Sequence, residues 1–251
     1  MIKFFRHIRQ NQIMKNKTGK YFKYAIGEII LVVIGILIAL QVSNWNKNRL
    51  ETKNLHSYFE KLIEELEQEI LITNLEIESI DSLENMQKRV LEILNIKNKN
   101  DIPELISVLG SVPTAWSSRQ SAEIFDEFMS QGLLSKVEDY SLKHALRKLQ
   151  DLMSNSKTHD IYIDNQYNTL IEPYFSKHLN YSKIALPRYK KTLVQGGPET
   201  DFELLFNSME LWNVTTLKLE TTNSTLRNLK NMDKGLKELV SALKKNIKIN
   251  D

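Results

Sequence analysis

Ile29-Ile30-Leu31-Val32-Val33-Ile34-Gly35-Ile36-Leu37-Ile38-Ala39-Leu40 is an unbroken apolar run inside a longer uncharged stretch, Ile29 to Asn46. At about 1.5 Å of rise per residue, 18–20 helical residues cross a hydrocarbon layer of roughly 30 Å. A soluble core helix is rarely apolar on every face. The run therefore predicts a transmembrane helix over about residues 24–45, with all that follows on one side of a membrane. Tyr21, Phe22 and Tyr24 before it and Trp45 after it suit the interfacial aromatic belts.

Charge fixes the orientation. Of 34 cations in the chain, seven (Lys3, Arg6, Arg9, Lys15, Lys17, Lys20 and Lys23) lie in residues 1–23, which hold no acid. Glu28 is the only charge between Lys23 and Lys47. From Lys47 onward 27 cations face 30 acids, so the net charge of +3 belongs to the arm. The positive-inside rule places that arm in the cytoplasm and Asp251 outside. A nucleic-acid partner would need Lys/Arg clustered on a folded face; here the cluster adjoins a membrane segment instead. No small-x-small pair marks a cleavage point, since positions 39, 41 and 43 are Ala, Gln and Ser, so an uncleaved signal anchor is expected.

Within the span Gly27, Leu31, Gly35, Ala39 and Ser43 recur every four residues and share one face. Gly35-x-x-x-Ala39 is a small-xxx-small pair that permits close helix approach, a face for homodimerisation or another membrane protein. Glu28, one turn inside the cytoplasmic boundary, is either a partner contact or an acid reaching the interface beside Tyr24.

Met1-Ile2-Lys3-Phe4-Phe5-Arg6, Tyr24-Ala25-Ile26-Gly27-Glu28-Ile29, Leu31 through Gln41 and Asn44-Trp45-Asn46 together resemble an uncharacterised family of bacterial single-pass membrane proteins, mainly from Bacteroidota. The resemblance covers residues 1–46, is loose beyond them, and departs at His7. It implies a Gram-negative inner membrane with the outer domain in the periplasm. It carries over no activity, cofactor or catalytic residue.

Residues 46–251 are expected to form a periplasmic all-α domain. Glycine and proline are scarce (8 and 5), and neither occurs between Gly35 and Pro103. That permits one helix from the membrane into the domain, with Leu55, Phe59, Leu62, Leu66 and Ile70 beginning its apolar stripe. Asn95–Asn100 should end it. Asp101-Ile102-Pro103-Glu104 reads as a capping box, Gly110–Ser118 as a loop, and about 119–130 as a helix closed by Gly132. Leu142, Leu146, Leu149, Met153, Ser156, Asp160, Ile163, Tyr167, Leu170 and Tyr174 form a heptad-like seam that Pro173 ends or kinks. Residues 176–201 read as a long connection. A last helix is expected over about Phe202–Lys245, its stripe running through Met209, Trp212, Thr216, Leu219 and Asn223. The economical assembly is an antiparallel helical bundle of three long helices and a short pair.

If 140–174 and 202–245 pair with position 174 beside 202, Asp160 falls opposite Thr216, and Ser156 and Met153 opposite Glu220 and Asn223. Ser156, Asp160, Thr216 and Asn223, with Thr73 from the first helix, would then share a polar core layer. Such a layer either fixes register or binds a small polar ligand. No cofactor is expected. With no cysteine, disulfides and thiol chemistry are excluded. His56, His144, His159 and His178 form no metal-spaced pair, and no phosphate loop or nucleophile elbow occurs. The expected function is a non-enzymatic, membrane-anchored scaffold or interaction protein of the bacterial envelope. The alternative is a periplasmic ligand-sensing module that signals through a membrane partner.

Overall fold

The computed structural model describes residues 18–116 and 122–250. Most of the basic arm and the first residues of the helix expected at 119–130 lie outside them. Every regular element described is a helix, as an all-α chain requires. The chain divides into two compact units, Met1–Ser57 and Tyr58–Asp251. Helix α1, Thr18–Ile96, contributes to both.

In the first unit the apolar run is one face-to-face exposed helix. No residue of its most apolar stretch is buried against protein. The Arg49 guanidinium lies 5.8 Å from the Trp45 ring, and the Thr52 hydroxyl donates to the Asn48 carbonyl at 3.0 Å. This helix has the length and composition to cross a membrane, and its most apolar stretch is not buried by any described residue.

The second unit is an up-down-up-down bundle. Its first column is α1 from Tyr58 to Ile96, where Lys97 takes a left-handed φ of 59° and stops the helix. The second column returns along α1 as two short helices, α2 (Ile102–Leu109) and α3 (Glu123–Ser130). Its direction follows from its bonds. Arg89 clasps Glu104, the Gln87 amide donates to the Ser111 carbonyl, and Tyr58 reaches Glu127. The third column is α4 (Tyr140–Gln166), continued through a π turn (Tyr167–Ile171) into α5 (Glu172–His178). Three short pieces follow, α6 (Tyr181–Ile184), α7 (Pro187–Lys190) and α8 (Phe202–Leu205), before the fourth column, α9 (Met209–Asn250). Asn74 meets Asp233 and Glu67 meets Lys244, so α1 and α9 are antiparallel.

Four local expectations change. Asp101 makes no side-chain cap; it accepts from the Asn98 amide instead, and Glu104 is held by Arg89. Pro173 does not end its helix. The Glu172 N–H donates to the Tyr167 carbonyl five residues back, and this wider turn absorbs the donor that proline lacks. The stretch 176–201 is less a connection than part of the core, since Leu179, Ile184, Ala185 and Leu186 are all buried. The last helix starts at Met209, after a break at Phe206–Ser208, and not at Phe202.

The core has an apolar upper part (Val90, Ile93, Leu105, Leu109, Ile171, Tyr174, Phe175) and an apolar lower part (Phe59, Leu62, Leu66, Phe125, Phe128, Leu146, Leu239). Two devices seat the second column. Gly110 presses its Cα against the backbone of Ile184, where a Cβ would collide with the carbonyl oxygen. Glu65 of α1 supplies the N-terminal cap that α3 lacks: its two carboxylate oxygens accept the Ile124 and Phe125 N–H groups at 2.7 and 2.9 Å.

Two stability losses are expected in chemical denaturation. Gly110→Ala forces backbone apart and should cost at least about 2 kcal/mol. Glu65→Ala strips a charged cap and should cost about 1–2 kcal/mol. A loss below a few tenths of a kcal/mol in either would show that the second column is not seated as described.

Candidate functional site

Between the two apolar zones the bundle is polar. Gln166, Thr215, Lys218, Thr221, Thr222 and Thr225 are all buried. Positions 215, 218, 222 and 225 step by three, four and three, so one face of α9 carries them inward. The layer is knit to α4 by side chains. The Gln166 amide donates to the Leu217 carbonyl at 3.2 Å, and the Thr221 hydroxyl lies 2.9 Å from Gln166 Oε1. Thr222 and Thr225 donate to the carbonyls four residues back, both at 2.9 Å. His159 Nε2 is 3.0 Å from Thr225 Oγ1. Since the Thr225 proton is already given to Thr221, the imidazole must donate, which places its own proton on Nε2. Burial holds His159 below the ordinary histidine range, in keeping with a neutral ring.

This layer is not the one the heptad pattern predicted. Lys148 pairs with Glu238, His159 with Thr225, Gln166 with Leu217 and Thr221, and Tyr174 with Ser208. Position 174 therefore faces 208 and not 202. The fourth column starts later than its hydrophobicity suggests, and the π turn adds a residue to the third. Together these slide α9 by about two and a half turns against the expected register. Asp160 consequently lies opposite the Thr225 region. Thr216 is exposed, its hydroxyl turned back to the Trp212 carbonyl at 2.8 Å, and takes no part in the core. Ser156 and Asn223 are half-buried. Thr73 is fully buried, but on α1 it lies near the Asn74–Asp233 level, well below the Lys218 layer.

Asp160 keeps a functional interest of its own. Its Oδ1 is buried without a hydrogen-bond partner, and burial, with Asp164 nearby, raises its carboxyl above the ordinary range. Lys218 is the more extreme group: it exposes 5% of its surface. Burial pushes its ammonium down to about 8. Ile80, Leu83, Trp116, Ile163, Lys218, Thr221, Thr222 and Thr225 line a cavity of about 10 Å³. Sequence reading passed over Lys218 because Met209, Trp212 and Leu219 traced an apolar stripe one position away. Met209 is in fact 70% exposed, so the true inward face is the polar one. The 3-4-3 threonine and lysine spacing was the signal that could have found it.

Elsewhere, nothing lies within 4 Å of a Cβ built on Gly27 or Gly35, Ala39 and Ser43 are exposed, and Glu28 is half-buried. No group of three His, Asp or Glu among the described residues could hold a metal ion.

The register is testable because the chain has no cysteine of its own. Lys148→Cys with Glu238→Cys should crosslink rapidly, and Lys148→Cys with Arg227→Cys should not; the reverse result would restore the heptad alignment. Asp160 has a folded-state pKa above its unfolded one, so its contribution is full below the ordinary carboxylate value and is lost as pH rises through the raised one. Asp160→Asn should therefore raise the Tm at pH 7, with the gain vanishing toward pH 4. Comparison of the chain with protein-family models, with curated proteins and with solved structures finds no match, so this layer is interpreted from its own geometry.

Proposed function

We propose that this protein is a single-pass, membrane-anchored and non-enzymatic helical scaffold or interaction protein of the bacterial envelope. Residues 1–23 are the cytoplasmic arm, 24–45 the transmembrane helix and 46–251 the periplasmic bundle. The observation that carries the reading is the uncovered apolar helix. Ten large aliphatic side chains from Ile29 to Leu40 expose 45–64% of their surface to whatever surrounds the protein. At about 1.5–3 kcal/mol for each such side chain, moving them from water into lipid is worth roughly 15–30 kcal/mol. The bundle, by contrast, buries much of its own apolar stripes.

Seven cations before the span support an inward N-terminus. The resemblance of residues 1–46 to Bacteroidota single-pass proteins supports an inner membrane facing a periplasm. A lipid bilayer is then the first partner. The face of Gly27, Gly35, Ala39 and Ser43 suits a second copy of the chain or another membrane protein, with Glu28 as a further contact. The second reading, a periplasmic ligand-sensing module working through a membrane partner, draws on the buried ammonium of Lys218.

Alkaline phosphatase fused after Asp251 should be active in a Gram-negative host, and the protein should resist carbonate extraction. An inactive fusion, or release of the chain by carbonate, sinks the anchor reading. Gly35→Leu with Ala39→Leu should lower the yield of crosslinked dimer several-fold if the small-residue face pairs.

A further inference from the structure

The lower half of α9 is strongly basic. From Arg227 to Lys248 it carries seven cations and two acids, Asp233 and Glu238. Lys237, Ser241, Lys244 and Lys248 step by four, three and four, so one face presents them together. With Lys245 they rim a groove of about 610 Å³ between α9 and α1, whose apolar lining is Ile70 and Val240. Glu67 is the one acid that lines it.

The fold leaves much of this charge unused. Glu238 is taken up by Lys148 of α4. Asp233 accepts from Lys237 and Glu67 from Lys244, but each of these ammoniums, with half its side chain exposed, keeps two further N–H donors. Lys245 approaches Asp139, whose carboxylate is already held by the Ser141 hydroxyl and the Leu142 N–H. Lys248 is exposed and pairs with no described residue. Exposed ion pairs contribute little to stability, so holding the bundle together does not account for four lysines on one groove.

Two observations choose the occupant. The groove sets cations over an aliphatic floor, which matches an amphiphile with a phosphate head better than a wholly polar anion. It also lies at the end of the bundle where the chain enters, since the bundle starts at Tyr58, nine residues before Glu67. Twelve residues, 46–57, separate that start from the apolar span, so a bilayer holding the span is within about 40 Å whatever path they take. Tethering at that range presents headgroups at roughly millimolar effective concentration. Each lysine at an anionic surface then strengthens association about fivefold.

We propose that this groove docks the bundle on the anionic phospholipid headgroups of the bilayer that holds the span. The proposal rests on the anchor reading and adds to it that the folded domain recognises lipid phosphate. Docking couples the bundle to the local content of anionic lipid.

The chain has no cysteine, so Ser241→Cys places one environment-sensitive fluorophore in the groove of the full chain. In phosphatidylcholine nanodiscs its emission should be that of a probe in water. With about a quarter phosphatidylglycerol it should shift to the blue. A label at Lys157→Cys, exposed on α4, should not respond. Salt at about 0.5 M, which screens charge beyond roughly 4 Å, should reverse the shift. Lys245→Gln with Lys248→Gln removes two lysines that hold no ion pair, so the Tm should not change. At the phosphatidylglycerol content that gives half the parent's shift, the docked-to-free ratio of this variant should fall about twenty-five-fold. Equal emission in the two lipids, or a variant that shifts at the same lipid content as its parent, overturns the proposal and leaves the anchor reading standing. Inorganic phosphate that produces the shift in phosphatidylcholine discs overturns it in favour of a soluble anion. A chain that fails to enter the discs sinks the anchor reading and the docking with it.

Discussion

The register between Tyr140–Gln166 and Met209–Asn250 decides which polar groups meet inside this protein. It is held at three levels by bonds of different kinds: Lys148 to Glu238, Gln166 to Leu217 and Thr221, and Tyr174 to Ser208. The ion pair is half-exposed and contributes little by itself. The buried amide is the specific element, because sliding α9 by one turn would strand both of its hydrogen-bonding ends in an apolar interior. From that one alignment follow the neutral His159 against Thr225, the isolated Asp160 carboxyl and the enclosure of Lys218.

Much of the fold is legible in the sequence, and the exceptions share a cause. Long stripes of leucine and isoleucine place α1 and α4, because a helix that must bury one face repeats its apolar residues with that period. The stop after Ile96 and the turn at Gly132 follow from chain chemistry visible in single residues. The fourth column resists such reading. Its upper half buries threonine and lysine and exposes Met209 and Leu217, so hydrophobicity points to the wrong face. Tertiary contacts override the pattern there: Leu211 and Val214 anchor the upper core, and the residues on that same face a turn or two beyond them, Thr215, Lys218 and Thr222, are carried inward whatever their polarity. The caps show the same limit. Asp101 looks like a cap and is none, whereas Glu65, 59 residues from its partner, is one that no local motif could announce.

The candidate site follows suit. Asp160 was visible as a polar break in an apolar seam, and it is a poorly satisfied acid. A helix start at Phe202 would put Thr216 in the seam, and the three-residue break at Phe206–Ser208 takes it out. A small irregularity outside a bundle thus rewrites the composition of its interior, since every residue below it turns by the same angle. Lys218, one position off the apolar stripe, becomes a deeply buried cation.

The contact between Glu67 and Lys244 spans 177 positions of chain. At roughly 5–20 residues per second of synthesis, about 10–35 s separate the emergence of the two partners from the ribosome. Throughout that interval the lower stripe of α1, with Leu62 and Leu66, has no final column to lie against. The nascent chain must carry an unfinished sticky surface for all that time, guarded by the returning second column that Glu65 seats.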